Sequence, residues 1–247
     1  MNKTSEYTFT ILVPFYNEEE NMLRLEQELK NYLDSAFFPK TAVLFINDGS
    51  KDNGLKLLSD ICSRNEHFYY ISFTKNTGLS GAIKAGFDNC FSKYVGYIDA
   101  DLQTSPEDFN KLLEFAEQYP LVIGIRANRK DSFFKNVQSK IANNFRRMMT
   151  GDDAVDTGCP LKVFHTDYAK RIPMFTGMHR FFPALIMLQE GGKVKQVEVR
   201  HFKRAAGSSK YHLWNRLAGP FKDCFAYRWM KKRYINYTIG SSNIDHN

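Results

Sequence analysis

The chain has 247 residues, of which 43% are hydrophobic and 25% charged, so it can bury a sizeable core and is not a disordered protein. Its four cysteines are scattered without a Cys-x-x-Cys pair, which argues against a zinc site or a disulfide framework and indicates free thiols in a reducing compartment. The net charge of +7 conceals an asymmetry: residues 1–120 carry a net charge of −7 and residues 121–247 a net charge of +14. The basic half predicts an anionic partner, such as nucleic acid, a phosphorylated substrate or acidic lipid headgroups.

The hydrophobic pattern predicts strands that alternate with helices. Short β-prone runs predict strands at residues 8–13, 42–46, 69–73, 94–98 and 121–125, the first of them ended by Pro14. Apolar residues at helical spacing predict helices at 18–33, 55–63 and 80–89. The sequence Ser105-Pro106-Glu107-Asp108 is typical of a further helix start, with Ser105 as the cap. The alternation predicts an α/β fold with a mostly parallel sheet.

Polar, turn-forming residues follow four successive predicted strands, at 16–18, 48–50, 76–78 and 99–101. Open parallel sheets bind ligands at the carboxyl ends of their strands, so we expect these four segments to line one cleft. No Gly-x-Gly-x-x-Gly follows a strand, and no Gly-x-x-x-x-Gly-Lys-Ser/Thr occurs. Dinucleotide-dependent dehydrogenases and phosphate-loop nucleotidases are therefore poor interpretations.

The segment Asp99-Ala100-Asp101-Leu102-Gln103 has the strongest chemical pattern, because it places two carboxylates directly after an apolar strand. If the chain stays extended there, Asp99, Asp101 and Gln103 point to the same side. Oxygen ligands of this kind suit Mg²⁺ or Mn²⁺, which usually bind together with substrate phosphates. The segment therefore predicts a metal site for a phosphate-containing substrate.

Four segments resemble, in order, the successive motifs of family 2 glycosyltransferases with the GT-A fold: residues 13–19, 47–50, 76–78 and 99–103. Three later segments resemble the bacterial branch of dolichyl-phosphate mannose synthase-like enzymes: residues 124–131, 178–181 and 204–211. Enzymes of that branch move a sugar from a nucleotide diphosphate to a polyprenyl phosphate. The resemblance implies a Rossmann-like nucleotide-binding catalytic domain over residues 1–211 and a helical tail over 212–247.

The resemblance also implies a role for each matching side chain. The donor nucleotide would contact Pro14, Tyr16, Glu18, Asp48, Asn76, Gly78 and Asp99. Asp101 and Gln103 would hold Mg²⁺ or Mn²⁺, and the transfer itself would involve Asp99, Asp101 and Arg126. The chain departs from the family at Asn47, where the family has aspartate.

The acceptor side lacks the Glu-Asp motif with which many family 2 enzymes activate a sugar hydroxyl, and residues 156–161 instead resemble the acceptor loop of the polyprenyl-phosphate branch. A phosphate acceptor is already an anion, so it needs cations and no general base. Five side chains are candidates to bind that phosphate: Arg126, Arg129, Arg204, Ser209 and Lys210. His179 suits a buried core histidine and an acceptor contact about equally.

The tail has aromatic and aliphatic residues at three- and four-residue spacing among many cations, at positions 214, 217, 221, 225 and 229. We expect Gly219-Pro220 to split it into two short helices. Such helices could lie in a headgroup layer, or pack on the enzyme's own domain or on a second subunit. The sequence shows no signal peptide and no run of about 20 apolar residues, so we expect a cytoplasmic protein, peripheral on the inner face of the cytoplasmic membrane or held there by a small membrane protein.

The leading interpretation is a metal-dependent inverting glycosyltransferase that acts on a polyprenyl phosphate. The main alternative is a family 2 enzyme that acts on a sugar hydroxyl in cell-surface polysaccharide assembly. A basic nucleic-acid-binding protein would leave the aspartate-ended strands unexplained, and an inactive membrane scaffold would leave the intact metal motif unexplained. The sequence does not distinguish the donor nucleotide or its sugar.

Overall fold

A computed structural model of the protein describes residues 6–127, 143–202, 218–237 and 240–241. These residues form a seven-stranded sheet with helices on both faces. The strands are β1 (Phe9–Phe15), β2 (Thr41–Asn47), β3 (Phe68–Ser72), β4 (Tyr94–Tyr97), β5 (Leu121–Arg126), β6 (Lys162–His165) and β7 (Val194–Val199).

The strand order is β3-β2-β1-β4-β6-β5-β7. The pairs β1–β2, β1–β4, β2–β3 and β5–β7 are parallel, whereas β6 lies antiparallel between β4 and β5. The predicted α/β fold with a mostly parallel sheet is therefore confirmed. In the two antiparallel pairs, Lys162 lies opposite Tyr97 of β4 and Ile123 of β5.

The helices cover both faces of the sheet. They are α1 (Met22–Asp34), α2 (Gly54–Arg64), α3 (Leu79–Asn89), α4 (Phe109–Leu113), α5 (143–150), α6 (Thr166–Lys170), α7 (Phe182–Met187) and α8 (Ala218–Arg233). Helices α1, α2 and α4 share one hydrophobic cluster with the sheet, and α3 and α5 to α8 share the cluster on the opposite face. Every residue of β1 and β2 is buried, as expected for parallel strands covered on both faces.

Three local expectations were wrong in detail. Strand β1 continues through Pro14 to Phe15, because β4 stops pairing with it at Leu12 and no ladder bond is required from the nitrogen of Pro14. The helix expected from residue 18 begins with a 3₁₀ turn at Glu19–Asn21. Ser105 precedes the next helical turn without capping it; its hydroxyl instead accepts a hydrogen bond from Arg200, 3.1 Å away.

Strands β6 and β7 were not predicted from the sequence. The four residues of β6 include a buried lysine, and β7 is a half-buried edge strand that mixes valines with Lys195, Gln196 and Glu198. Helix α8 begins at Ala218, so Gly219 and Pro220 lie in its first turn, a position where proline is tolerated. The expected first half of the tail, with Trp214 and Leu217, lies outside the described residues. Across residues 6–127, 143–202, 218–237 and 240–241, no helix has an apolar stretch long enough to cross a bilayer.

Candidate functional site

A cleft of about 350 Å³ opens where the first four strands end. Its walls are Pro14, Phe15, Tyr16, Glu18, Asp48, Asn76, Gly78, Leu79, Ala82, Asp99, Ala100 and Asp101. All seven side chains predicted for the donor nucleotide are among them, together with Asp101. The four loops expected to meet at one edge of the sheet do so, and the volume is that of a small-ligand site.

Asp48 holds the third loop of the cleft in place. Its Oδ1 accepts hydrogen bonds from the main-chain nitrogen and the hydroxyl of Thr77, at 2.6 and 2.9 Å. Its Oδ2 accepts hydrogen bonds from the Asn76 side chain and the Gly78 nitrogen, both at 2.8 Å. Four donors use the lone-pair positions that a carboxylate offers. In this conformation Asp48 shapes the wall against which a nucleotide base would lie, and the role of direct base contact stays a prediction.

The first two loops are tied together by hydrogen bonds from main-chain nitrogens to side-chain oxygens. Asn17, in the left-handed region at φ 52°, donates its nitrogen to the Ser50 hydroxyl and accepts from the Lys51 nitrogen, at 2.9 and 2.7 Å. Asn47, which departs from the family's aspartate, accepts from the Ser50 nitrogen and donates to the Ser72 hydroxyl, both at 3.0 Å. Asparagine therefore supports the turn here and also links β2 to β3. Gly49 is required, because a Cβ there would lie 2.5 Å from the carbonyl carbon of Lys75.

The segment from Asp99 to Gln103 is a turn, which corrects the expectation of an extended chain. Strand β4 ends at Tyr97, and the Leu102 nitrogen donates to the Asp99 carbonyl at 3.3 Å. Leu102 has φ 51°, an uncommon conformation for a branched side chain, and it is 3% exposed in the core. Burial of Leu102 therefore offsets the backbone strain and fixes the turn that brings Asp99 and Asp101 to the cleft.

Gln103 does not line the cleft, so its role as a metal ligand stays a prediction. Its nitrogen donates to Oδ1 of Asp101 at 3.2 Å. Its carbonyl accepts a hydrogen bond from the nitrogen of Phe202 at 2.8 Å and lies 3.1 Å from Nδ1 of His201. These contacts tie the turn to the segment that follows β7.

Asp99 lies at the bottom of the cleft. Burial and the negative charge of Asp101 raise its pKa to about 6, against the opposing effects of the Tyr97 hydroxyl, Lys162 and Arg126. The Tyr97 hydroxyl donates to Oδ1 of Asp99 at 2.6 Å. The negative charges of Asp99 and Asp101 repel each other, so this part of the cleft favours binding of a cation.

The donor set fits a divalent metal ion. Asp99 and Asp101 both offer carboxylate oxygens to the cleft, and these are the ligands that Mg²⁺ and Mn²⁺ prefer. Among the described residues, no group of three or more His, Cys, Asp or Glu side chains could hold a metal ion.

Arg126 ends β5 and is paired with Asp156, and its role as an acceptor cation stays a prediction. Its Nε and Nη2 donate to the two carboxylate oxygens of Asp156, at 2.7 and 2.8 Å. Burial would raise the pKa of Asp156, but the hydrogen bonds and charge of Arg126 outweigh it and lower that pKa. Asp156 thus orients the guanidinium beside Asp99. The sequence analysis did not identify Asp156 as the partner of Arg126, although it assigned residues 156–161 to the acceptor side.

His179 is tied to helix α3. Its Nδ1 lies 2.7 Å from the Ser80 hydroxyl, which also accepts the Gly177 nitrogen at 3.1 Å. Burial lowers the pKa of His179 to about 3, so the imidazole is neutral. Between the two interpretations left open by the sequence, these contacts favour a hydrogen-bonded structural histidine. The remaining predicted acceptor residues, Arg129, Arg204, Ser209 and Lys210, lie outside the described residues.

The sheet, the cleft at its carboxyl edge and the two aspartates after β4 define the class of α/β proteins with the GT-A fold. Residues 10–172 match the family model described as glycosyl transferase family 2, and the chain belongs to that family. This agrees with the resemblance seen in the motifs.

Curated relatives include proteins named undecaprenyl-phosphate 4-deoxy-4-formamido-L-arabinose transferase. One from Pectobacterium atrosepticum is 33% identical over 204 residues, covering 82% of this chain and 62% of the relative. One from Aeromonas hydrophila is 31% identical over 215 residues, covering 86% of this chain and 65% of the relative. The chain therefore spans somewhat less than two thirds of the length of these relatives.

Solved structures share the fold at low identity. Glucosyl-3-phosphoglycerate synthase from Mycobacterium tuberculosis, in complex with phosphoglyceric acid, matches with a TM-score of 0.66 and 13% identity, over 93% of this chain and 81% of that one. A mannosyltransferase from Pyrobaculum calidifontis, in complex with GDP-mannose and Mn²⁺, matches with a TM-score of 0.61 and 15% identity, over 94% of this chain and 66% of that one. Another structure of the mycobacterial synthase contains Mg²⁺ and uridine diphosphate.

Proposed function

We propose that this protein transfers a hexose-type sugar from a nucleotide-diphosphate sugar to a polyprenyl phosphate, with inversion and with Mg²⁺ or Mn²⁺. The main support is the geometry of the cleft, which joins three nucleotide-type loops to Asp99 and Asp101. The guanidinium of Arg126, paired with Asp156, acts electrostatically on Asp99. The names of the curated relatives support a polyprenyl-phosphate acceptor, and the ligands of the structural neighbours support a nucleotide and a divalent ion.

The proposed reaction needs no general base, because a phosphate acceptor is already an anion. Asp99 and Asp101 both line the cleft directly after β4, and we assign the diphosphate end of the donor to them. In the transfer, an acceptor phosphate oxygen bonds to the anomeric carbon as the bond from that carbon to the nucleotide diphosphate breaks. Asp99 and Asp101 would hold the metal ion, which would supply charge neutralisation for the departing diphosphate.

Arg126 would orient the acceptor. Its Nε and Nη2 are used by Asp156, and among the described residues Nη1 has no hydrogen-bond partner. An arginine held on one edge presents its other edge in a fixed direction, which suits an incoming phosphate. In this proposal Asp156 positions the guanidinium, and Arg126 contacts the acceptor phosphate.

The test is an acceptor comparison. The protein is incubated with labelled nucleotide sugars, Mg²⁺ or Mn²⁺, and either a short polyprenyl phosphate or an oligosaccharide. Lipid-linked sugar is the expected product. Glycosylation of the oligosaccharide alone, with no lipid product from any donor, would establish the hydroxyl-acceptor alternative and refute the proposal.

Asp101→Ala tests the metal assignment. It should abolish metal-dependent transfer, because one of two carboxylates at the diphosphate end is removed. Asp88→Ala, which removes an exposed aspartate paired with Lys84 on helix α3, should leave transfer unchanged. Retained activity in Asp101→Ala would show that Asp101 is not required to bind the metal ion.

We also propose that helix α8 docks on the cytoplasmic membrane. Its buried side packs Cys224 and Tyr227 into the core, whereas Phe221, Phe225 and Trp229, each four residues from the last, are 51%, 53% and 59% exposed. Phe221 also stacks on Phe145 of α5, with ring centroids 4.9 Å apart. Exposed cations rim these aromatic rings: Lys222, Lys231, Lys232 and Arg233. Aromatic residues with adjacent cations match the chemistry of an anionic bilayer surface.

Vesicle flotation tests this docking. The protein should float with vesicles containing anionic lipid, less with neutral vesicles, and less again when the salt concentration is raised. Replacing Phe221, Phe225 and Trp229 together by serine should abolish flotation, and because each side chain is about half exposed the variant should remain folded. Unchanged flotation of the triple variant would overturn the proposal, and loss of a dimer in that variant would assign the face to a second subunit.

A further inference from the structure

Lys162 is a buried cation that the sequence analysis did not single out. It is 2% exposed and begins β6, the strand inserted between β4 and β5. Its ammonium donates to the main-chain carbonyls of Cys159 and, at 3.3 Å, of Thr157. Among the described residues it forms no ion pair. Burying a charge without a carboxylate partner is costly, so Lys162 is held by carbonyl dipoles and by the face of an aromatic ring.

The contacts of Lys162 reach both sides of the site. Its Nζ lies 5.7 Å from the centroid of the Tyr97 ring, and the hydroxyl of Tyr97 donates to Asp99. In the other direction, Thr157 and Cys159 belong to the loop that carries Asp156, the partner of Arg126. One side chain therefore links the bottom of the donor cleft to the acceptor loop.

The electrostatic surroundings agree with this placement. Burial lowers the pKa of Lys162, whereas Cys159, Asp156 and Asp99 act in the opposite direction. Asp99 and Asp156 act electrostatically on both cations, the buried Lys162 and the partly buried Arg126. Removing the charge of Lys162 would change the electrostatic potential at Asp99. It would also remove the hydrogen bonds that hold the loop of residues 156–161.

We propose that Lys162 is a positioning residue for the transfer step, holding the loop of residues 156–161 so that the Arg126–Asp156 pair and Asp99 keep a fixed separation. The proposal rests on the proposed glycosyl transfer. It predicts that Lys162 acts on the chemical step more than on binding of the nucleotide, since all the nucleotide-type loops lie before residue 102. A lysine with a purely structural role would behave differently, because its replacement would lower the melting temperature, the nucleotide affinity and kcat together.

The test compares Lys162→Met and Lys162→Arg with the wild-type protein. Lys170→Met is the matched control, because Lys170 also lies over an aromatic ring, 3.8 Å from the centroid of Phe91, but has no contact with the cleft. The measurements are kcat and the donor KM for transfer, the calorimetric Kd of the nucleotide diphosphate with Mn²⁺, the hydrolysis of donor without acceptor, and the melting temperature.

Lys162→Met should lower kcat about 100-fold, the size of effect that follows a displacement of about 1 Å between reacting groups. The donor KM and the nucleotide Kd should change less than about threefold, and donor hydrolysis should fall less than transfer. Lys162→Arg should recover about tenfold, and Lys170→Met should match the wild type. If Lys162→Met does not fold, Lys162→Gln, which keeps one donor, provides the same comparison.

A folded Lys162→Met that keeps kcat within threefold of the wild type would overturn the inference, as would a parallel loss of kcat and nucleotide affinity. Failure of the proposed function is distinguishable from both outcomes. In that case the wild type makes no lipid-linked sugar, and the same variants are compared on the acceptor that it does use.

Discussion

At the scale of single residues, the site depends on side chains that hold loops as much as on those that face the cleft. Asp48 uses four hydrogen bonds on residues 76–78, and Leu102 holds a strained turn through its burial in the core. Neither role is visible in a motif, because a motif gives the residue type and not the direction of its contacts. The sequence predicted the polar residues that line the cleft. The structure was needed to tell the residues that hold the loops from those that face the cleft.

Asp48→Asn should weaken binding of the nucleotide diphosphate by tenfold to 100-fold. The amide nitrogen would face N–H donors that now bond to a carboxylate oxygen, and each hydrogen bond to a charged group contributes about 1.5–3 kcal/mol. Titration calorimetry with Mn²⁺ measures the change, with Asp88→Asn, on the exposed end of α3, as the control. Unchanged affinity would show that the loop of residues 76–78 is held without Asp48.

At the scale of elements, the predictable part of the fold is its first half. The five strands expected at residues 8–13, 42–46, 69–73, 94–98 and 121–125 all exist, with ends that move by one or two residues, because each is a β-prone apolar run. Strands β6 and β7 lack such runs, since β6 has four residues with a lysine among them and β7 lies at the edge of the sheet. Their existence depends on pairing with β4 and β5, which no local pattern reports.

Gly96→Ala should destabilise the protein by about 1–3 kcal/mol, the typical cost of an added methyl group in a packed core. A Cβ there would lie 2.5 Å from the Phe9 ring and 2.8 Å from the Phe109 ring, and both rings are fully buried. Urea unfolding measures the change. Gly219→Ala is the matched control, because a Cβ there has open space, and a comparable loss in both variants would contradict the steric argument.

Acid should weaken the connection between α1 and α2. Glu26 of α1 accepts hydrogen bonds from Arg64 and Asn65, and the bond from Arg64 is the main cause that lowers its pKa, against the effect of burial. A lowered pKa in the folded state stabilises the protein above the unfolded value of about 4.3, and the effect is lost as the pH falls through the folded value. The difference in unfolding free energy between the wild type and Glu26→Gln should therefore be constant from pH 7 to 5 and shrink below pH 4. A gap that stays constant down to pH 3 would contradict this.

At the scale of the whole molecule, the two halves of the chain differ in charge and in task. The acidic half supplies every side chain of the cleft, and the basic half supplies Arg126, Lys162 and the exposed cations of α8. The charge asymmetry predicted an anionic partner on the second half, and the placement of α8 agrees with a lipid surface. What the sequence did not indicate is that the second half also completes the sheet between β4 and β5.

The insertion of β6 has a consequence for the order of folding. Within the described part of the chain, β1 to β4 pair with one another and with β6, and β5 and β7 are joined to them through β6. Residues 162–165 must therefore be in place before the two parts of the sheet can join. In pulse-labelled hydrogen exchange during refolding, amides of β1 and β2 should gain protection before those of β5 and β7, and simultaneous protection would contradict this order. During synthesis, the four loops of the cleft would then form well before β6, which is synthesised about 60 residues later, joins the two parts of the sheet.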